Sequence, residues 1–225
     1  MQKSLKTTQL LDLSETISSE IFSEKVYPWQ VLSDLSLFIV SLGRKLPQEK
    51  YIFFKENIWV AKNAKISETA SICGPAIIDE ESEIRHSAFI RPNVIIGKNV
   101  VVGNSTEVKN SILFNKVQVP HYNYVGDSIL GFKSHLGAGV ILSNIKSDKT
   151  KIMVRGEKAI DTNLQKLGSI IGDFVEIGCN SVLNPGTIIG KNSVIYPLCS
   201  VRGVIGEDCI FKSESCIVKK QNYSG

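Results

Sequence analysis

The sequence has 225 residues, of which 43% are hydrophobic, and it carries a formal net charge of +4. This length is enough for one substantial core with a small annex, and the charge is too small for a typical nucleic-acid-binding surface. No apolar run approaches the roughly twenty residues of a membrane-spanning helix, and the first 13 residues lack the apolar core of a signal peptide. Five cysteines without a C-x-x-C pair indicate reduced thiols. We expect a cytoplasmic protein that binds neither nucleic acid nor membrane.

An N-terminal segment, residues 1–57, contains one predicted helix. Apolar residues recur there at the spacing of one helix face: Val31, Leu32, Leu35, Phe38, Ile39 and Leu42. Pro28 stands near the start of this stripe and Gly43 just past its end, which is typical of helix boundaries. We predict that the segment caps the first coil of the fold described next, with contact to another subunit as the alternative. Trp29 and Trp59 are expected to pack at that junction.

From residue 60 onward a β-branched apolar residue recurs every six positions. These inward repeat positions are Val60, Ile66, Ile72, Ile78, Ile84, Ile90, Ile96, Val102 and Val108. A period of six fits neither a helix nor an alternating strand, and it predicts a triangular coil with three short extended segments in each turn of about eighteen residues. Stiff β-branched side chains suit such segments. Gly97 and Gly103, which follow repeat positions, are expected to supply positive φ angles at the corners.

The repeat then shows two one-residue slips, to Leu113 and to Leu130, which we interpret as distorted corners. Residues 143–169 lose the pattern and are rich in lysine, and an excursion of this length is usually functional or disordered. The repeat returns at Ile171 and continues to about residue 218. We predict a coil domain over residues 58–218, interrupted by the loop 143–169, with about eight turns and a length of roughly 38 Å.

Four short segments carry the candidate chemistry. They read PHYNYVGD (120–127), GAG (137–139), IRP (90–92) and EVKNS (107–111). Together, from roughly residue 84 to 203, they resemble the acetyltransferase domain of bacterial bifunctional N-acetylglucosamine-1-phosphate uridyltransferases, which belong to the hexapeptide-repeat family. The resemblance implies an all-β fold, a left-handed parallel β-helix with an N-terminal α-helical cap. It also implies a homotrimer with its acetyl-CoA site between subunits.

The resemblance assigns roles to individual residues. His121 corresponds to the general base, Arg91 and Lys109 to ligands of the sugar phosphate, and Tyr124 and Asn144 to further sugar-phosphate contacts; Ala138 and Cys179 correspond to backbone positions beside the acetyl-CoA thioester. Imidazole titrates near neutral pH, as a base for amine acylation must. Arginine and lysine supply the fork and the point charge that suit a phosphate. No metal is implied.

Two departures concern the acceptor. The bacterial enzymes have Asn-Tyr-Asp-Gly where this chain has Asn144-Ile145-Lys146-Ser147, and they have asparagine at the position of His135. The segments 144–146 and 166–173 are more similar to the C-terminal domain of archaeal sugar-1-phosphate nucleotidylyltransferases, which also acetylate amino sugars. Lys149 or Lys151 would then bind a ligand phosphate, although loop lysines are usually only solvated.

We therefore expect a CoA-dependent N-acetyltransferase that acts on an amino-sugar phosphate in the metabolism of nucleotide-sugar precursors. One alternative is a catalytically silent scaffold or regulator, because only residues 1–59 precede the coils and contain a single glycine, so no pyrophosphorylase domain is expected. A γ-class carbonic anhydrase is a second alternative. Its three metal ligands include two closely spaced histidines, and His86, His121 and His135 are not spaced in this way.

Overall fold

The computed structural model describes residues 5–221 and shows a left-handed parallel β-helix with three walls and a small helical N-terminal segment. The predicted fold class is therefore confirmed. We name the walls A, B and C in the order in which each coil visits them. Within the described residues, no helix is long and apolar enough to cross a membrane.

Short strands form the three walls, and two walls end in an antiparallel strand. Wall A contains Tyr51–Lys55, Ile58–Ala61, Ala76–Ile78, Val94–Ile96, Ser111–Leu113, Ile129–Leu130, Ser169–Ile171, Thr187–Ile189 and Val204–Ile205. Wall B contains Lys65–Ile66, Glu83–Ile84, Val101–Asn104, Gln118–His121, His135–Leu136, Glu176–Ile177, Val194–Ile195, Cys209–Ser213 and Cys216–Lys219. Wall C contains Ser71–Ile72, Phe89–Ile90, Glu107–Lys109, Tyr124–Gly126, Ile141–Leu142, Val182–Leu183 and Ser200–Val201. The first strand of wall A and the last of wall B are antiparallel to their neighbours and cover the open edges of the coil.

The repeat positions fill the interior of the coil, as the period of six predicted. In wall A, Ile78 pairs with Ile96 and Ile96 with Leu113, so equivalent side chains stack from one coil to the next. From Ile78 to Val108, every repeat position is at most 1% exposed. Each coil thus buries its apolar interior against its neighbours, which is the main source of stability in a solenoid.

The glycines after the repeat positions do not have the expected positive φ. Positive φ angles at the corners fall largely on other residues, such as Asn93 (66°) and Asn99 (56°). A Cβ at Gly97 would lie 2.8 Å from Asn115 Oδ1, and one at Gly103 only 1.6 Å from the carbonyl oxygen of Pro120. The expectation was wrong because these glycines serve close contact with the next coil, not backbone handedness.

The two slips in the repeat shorten the corner between walls C and A. Leu113 pairs with Ile96 and Leu130 pairs with Leu113, so each pairing joins residues seventeen positions apart instead of eighteen. Asn110 (φ 44°) and Asp127 (φ 48°) occupy these two corners. The distorted corners predicted from the sequence are therefore present, and both carry polar side chains of the candidate site.

The described part of the N-terminal segment, residues 5–57, contains two α-helices and three 3₁₀ helices. The α-helices are Thr7–Leu10 and Leu35–Lys45, and the 3₁₀ helices are Leu13–Glu15, Ser19–Phe22 and Pro28–Val31. The predicted 31–42 helix therefore begins later and ends later, so Gly43 lies inside it and not beyond its end. A Cβ at Gly43 would lie 2.3 Å from the Trp59 ring, so this glycine lets the helix contact the indole. Trp29 is also buried, and it stacks on Tyr27.

The N-terminal segment covers the outer face of wall A and not only the first coil. The outward side chains of this wall are buried: Trp59, Ile77, Ile95, Ile112, Ile129, Ile170 and Ile188. The segment contacts the sixth coil, where the N–H of Asp12 donates to Asp173 Oδ2 (2.9 Å), and the fourth coil, where the N–H of Asn115 donates to the carbonyl of Glu15 (3.0 Å). The segment therefore covers more of the coil than the predicted cap over the first coil. The reason is that wall A is apolar on both faces, so its outer face has to be shielded from solvent along its length.

The loop 143–169 is folded. It contains an antiparallel hairpin of strands Met153–Arg155 and Ala159–Asp161, with Ile152 and Val154 buried beneath it. The hairpin contacts strand Thr187–Ile189, and thus it extends the cover of wall A toward the C-terminal coils.

Candidate functional site

Three of the predicted residues form one column along the corner between walls B and C, which we call the B–C corner. The N–H of Gly139 donates to the carbonyl of His121 (3.0 Å), and the N–H of Asn180 donates to the carbonyl of Ala138 (2.8 Å). His121, Ala138 and Cys179 therefore lie on three consecutive coils. The chain returns past His121 at Ala138, as the spacing predicted.

His121 is presented to solvent from a rigid turn. The buried Asn123 side chain accepts the N–H of His121 through Oδ1 (3.1 Å) and donates through Nδ2 to the carbonyl of Gly137 (2.8 Å). The imidazole itself is exposed and makes no hydrogen bond to any residue in the described part of the chain. The turn thus fixes the position of the residue while leaving both ring nitrogens available to a ligand.

The second part of the site is a hydrogen-bonded cluster at the corner between walls C and A, the C–A corner. Asp127, 4% exposed, is at its centre. Its carboxylate accepts hydrogen bonds from Lys109 Nζ (3.1 Å), Asn110 Nδ2 (2.8 Å) and Asn144 Nδ2 (2.5 Å). We call these four residues the Asp127 cluster. The shortened corners bring them together, because they place Lys109, Asn110 and Asp127 on adjoining coils at one edge.

Tyr124 connects this cluster to the outer face of wall C. Asn144 Nδ2 also lies 3.3 Å from Tyr124 Oη, and Tyr124 pairs with Glu107 in the neighbouring strand. Burial raises the pKa of the Tyr124 phenol, and the nearby Glu107 and Asp127 carboxylates raise it further. Tyr124 is therefore a neutral phenol at physiological pH, able to donate one hydrogen bond.

Arg91 and Lys109, the two predicted ligands of the sugar phosphate on the coils, are already paired with carboxylates. Arg91 Nη1 lies 2.8 Å from Glu107 Oε1, and Lys109 is bound to Asp127. The hydrogen bond that Arg91 donates to the Glu107 carboxylate raises the pKa of the guanidinium, so this side chain is always charged. Arginine has five N–H donors and lysine three, so each side chain can still donate hydrogen bonds to a ligand after one contact with a carboxylate. The charge that they offer a ligand is nevertheless largely neutralised.

Lys149 stands apart from both corners. It is exposed in a turn with φ 56°, and its N–H donates to the carbonyl of Lys146 (3.0 Å). Lys146 itself, not Lys149, lines a cleft beneath the hairpin. Lys151 donates to Asn163 Oδ1 on the surface. A ligand role for Lys149 stays a prediction.

The other two histidines do not join His121. His135 lies on the outer face of wall B, with Nδ1 2.8 Å from Glu176 Oε2. His86 lies at the B–C corner two coils before His121, where its carbonyl accepts the N–H of Ser105. Over residues 5–221, no group of three histidine, cysteine or acidic side chains is arranged to hold a metal ion.

The profile of the GMPPB C-terminal domain family matches residues 72–188, just over half of the chain. The chain belongs to this family. The match contains His121, Ala138, Cys179 and the complete Asp127 cluster, so both corners of the candidate site lie within the family domain.

Curated relatives match the same region. The "Bifunctional protein GlmU" of Methanococcus maripaludis is 34% identical over 112 residues, which are 49% of this chain and 27% of that protein. The "Bifunctional sugar-1-phosphate nucleotidylyltransferase/acetyltransferase" of Sulfurisphaera tokodaii is 36% identical over 104 residues, 45% of this chain and 26% of that protein. The resemblance found in the sequence is therefore confirmed, while the chain spans only about a quarter of these relatives.

Solved structures match this chain at lower similarity. An N-acyltransferase from Bacillus cereus, AntD, in complex with dTDP-4-amino-4,6-dideoxyglucose and coenzyme A, is 14% identical, with a TM-score of 0.36. The alignment covers 74% of this chain and 82% of that one. This likeness is too distant to assign chemistry to individual residues here.

Proposed function

We propose that the protein is a CoA-dependent N-acetyltransferase that acts on an amino-sugar phosphate. The observation that carries the proposal is the column at the B–C corner, where an exposed imidazole stands one coil from Ala138 and two coils from Cys179. The matching region of its bifunctional relatives supports the same chemistry.

In the proposed reaction the amino nitrogen of the sugar attacks the thioester carbonyl of acetyl-CoA. His121 takes the amine proton through an imidazole nitrogen, the C–S bond breaks, and the thiolate of CoA leaves and is protonated. A general base of this kind typically contributes about 10²–10⁴-fold to the rate. The backbone at Ala138 and Cys179 would lie beside the thioester.

The Asp127 cluster is proposed to form the acceptor side of the site. Tyr124 and Asn144 would contact the sugar, and Arg91 and Lys109 would use their remaining donors toward its phosphate. This arrangement places the base and the acceptor contacts at opposite edges of the same short strands of wall C. A homotrimer, in which a neighbouring subunit completes the groove, would join the two edges into one site.

A thiol-release assay tests the proposal directly. The protein is incubated with acetyl-CoA and a panel of amino-sugar phosphates, including glucosamine 1-phosphate and galactosamine 1-phosphate, and free CoA is measured. We expect thiol release that depends on one member of the panel and exceeds the hydrolysis of acetyl-CoA alone. Release at the hydrolysis rate with every member would refute the proposal.

The second candidate is a catalytically silent scaffold, and one observation favours it. Arg91 and Lys109 are bound to carboxylates of the same chain, as in a surface stabilised by its own ion pairs. The two candidates differ in the same assay, because a scaffold releases no thiol. For either candidate we propose a cytoplasmic location, where the five free cysteines stay reduced.

A further inference from the structure

The hairpin of residues 153–161 encloses a cleft of about 370 Å³ at the C–A corner. Its walls include Asn184 and Arg202 on the sixth and seventh coils, Arg155 on the hairpin, and Lys146 with Asp148 at the start of the loop. We call it the hairpin cleft. It is separate from the B–C column, and none of the predicted site residues lines it.

The cleft carries positive charge that residues 5–221 neutralise only in part. Among the described residues that line the cleft, the one carboxylate is that of Asp148, which is mostly exposed and 3.8 Å from Lys146 Nζ. Glu214 lines a neighbouring cleft that Arg155 and Arg202 share, but it forms no ion pair within 4 Å with either. Arg202 Nη2 donates to the neutral Asn184 Oδ1 (3.2 Å), and Arg202 has no carboxylate within 4 Å in the described part of the chain. Arg155 forms no ion pair with any residue between 5 and 221. Arg91 and Lys109, in contrast, each have a carboxylate within 3.1 Å.

We propose that the hairpin cleft binds the phosphate groups of a ligand, a diphosphate in particular. Two guanidinium groups and one ammonium group around a concave site supply the forks and the point charge that phosphate oxygens take as partners. The identity of the ligand rests on the proposed acetyltransferase function. The presence of an anion site does not.

The position of the cleft along the coil axis, relative to His121, indicates which phosphate binds there. Arg202 lies three coils beyond His121, so the two are about 14 Å apart along the coil axis at about 4.8 Å per coil. In a 2-amino sugar 1-phosphate only four bonds separate the amine from phosphorus, which is too short a path. In acetyl-CoA, more than a dozen bonds separate the thioester from the diphosphate. The geometry therefore favours the diphosphate of CoA over the phosphate of the acceptor.

A binding titration with inorganic pyrophosphate tests the site without any reaction. We expect Arg155→Gln and Arg202→Gln each to weaken pyrophosphate binding about tenfold or more, the usual effect of removing a hydrogen bond to a charged group. Lys158→Gln is the matched control, because Lys158 is exposed in the turn of the same hairpin but does not line the cleft. Circular dichroism confirms that each variant is folded.

The outcomes separate the cleft from the proposed function. Equal affinity for pyrophosphate in wild type and both arginine variants, or an equal loss in Lys158→Gln, would overturn the cleft whether or not the protein releases thiol. In the thiol-release assay, a rise in KM for acetyl-CoA alone identifies CoA as the source of the phosphates. A rise in KM for the sugar phosphate alone supports the cleft and assigns it to the acceptor instead.

Discussion

Replacing Lys109 by methionine tests whether the Asp127 cluster is an electrostatic unit of the fold. Methionine keeps much of the aliphatic stem of lysine but removes the ammonium group. The Asp127 carboxylate, whose side chain is 6% exposed, would then lose its only cation within 4 Å among residues 5–221. The amides of Asn110 and Asn144 would remain as its neutral donors.

The expected cost follows from this burial. Removing one partner of a fully buried ion pair costs about 3–5 kcal/mol, because the other charge stays buried without compensation. Lys109 is 20% exposed and two amide donors remain on Asp127, so solvent and hydrogen bonds recover part of that cost. We expect Lys109→Met to lower the free energy of unfolding by about 2–3 kcal/mol.

The assay is urea unfolding at fixed protein concentration, since an oligomer would make stability depend on concentration. A double-mutant cycle with Asp127→Asn isolates the pair, and the double variant should cost at least about 1 kcal/mol less than the sum of the single changes. Lys62→Met, at an exposed position on the first coils, controls for the loss of a lysine. A cost below about 0.5 kcal/mol for Lys109→Met, the size of an ordinary surface change, would refute the reasoning.

Four further predictions concern catalysis, substrate binding, pH and assembly. His121→Ala should lower kcat by about 10²–10⁴-fold with the fold unchanged. The control His86→Ala, at the same corner, should leave kcat unchanged. If His121→Ala keeps more than about a tenth of wild-type turnover, His121 is not the general base. Arg91→Ala should raise KM for the sugar phosphate and not for acetyl-CoA, and the reverse would mean that the two ligands are placed the wrong way round. Burial raises the pKa of Asp79 above its ordinary 3.8 although Tyr51 donates a hydrogen bond to it. Protonation of Asp79 therefore stabilises the folded state, and this contribution to the free energy of unfolding is lost as pH rises above about 4. Urea unfolding of Asp79→Asn should show a smaller loss of stability than wild type over the same pH range. Sedimentation should give the mass of a trimer, and a monomer at assay concentration would argue against a site shared between subunits.

The inward half of the fold could be predicted from the sequence because one residue type repeats at one spacing. Every inward position requires an apolar side chain of similar size, so the period of six is visible without knowledge of the neighbours. The outer face of wall A was not predicted, although the sequence carries a signal for it. In every hexad of wall A an apolar residue directly precedes the repeat position, as in Ile77-Ile78 and Ile95-Ile96, whereas in walls B and C that place is often polar, as in Glu83 and Glu107.

That doubled pattern has an eighteen-residue period, and it indicates a wall that is buried on both faces. The amphipathic N-terminal helix is the part of the chain that fits it, because Leu35, Ile39 and Gly43 are buried on the side of the helix that contacts the wall. Helix boundaries were less predictable. Gly43 has the position of a stop signal in the sequence, but its lack of a side chain makes room for Trp59, a partner sixteen positions away that local sequence does not reveal.

The candidate site was predictable to different extents at its two corners. Coil spacing alone places Ala138 beside His121, because residues about one turn apart must share a corner. Lys109 and Asp127 also lie one coil apart. The direction of each side chain, however, depends on the shortened corners, where Asn110 and Asp127 have positive φ. The hairpin cleft could not be predicted, since it depends on how an insertion without the repeat folds back onto three coils.

The shortened corners link the irregularity of the repeat to its chemistry. A regular hexad coil would present identical, widely solvated edges at every level, with side chains on adjoining coils in parallel rows. Removing one residue at two successive C–A corners turns the Asp127 carboxylate inward, toward the lysine and asparagine of the preceding coil, and the Asn144 amide of the following coil completes its partners. Four polar side chains thus form a hydrogen-bonded cluster around the buried Asp127 carboxylate, at the level of the coil that presents His121. The departures from the repeat therefore coincide with the acceptor side of the proposed site, because Asn110 and Asp127 occupy the two shortened corners and are themselves members of the cluster.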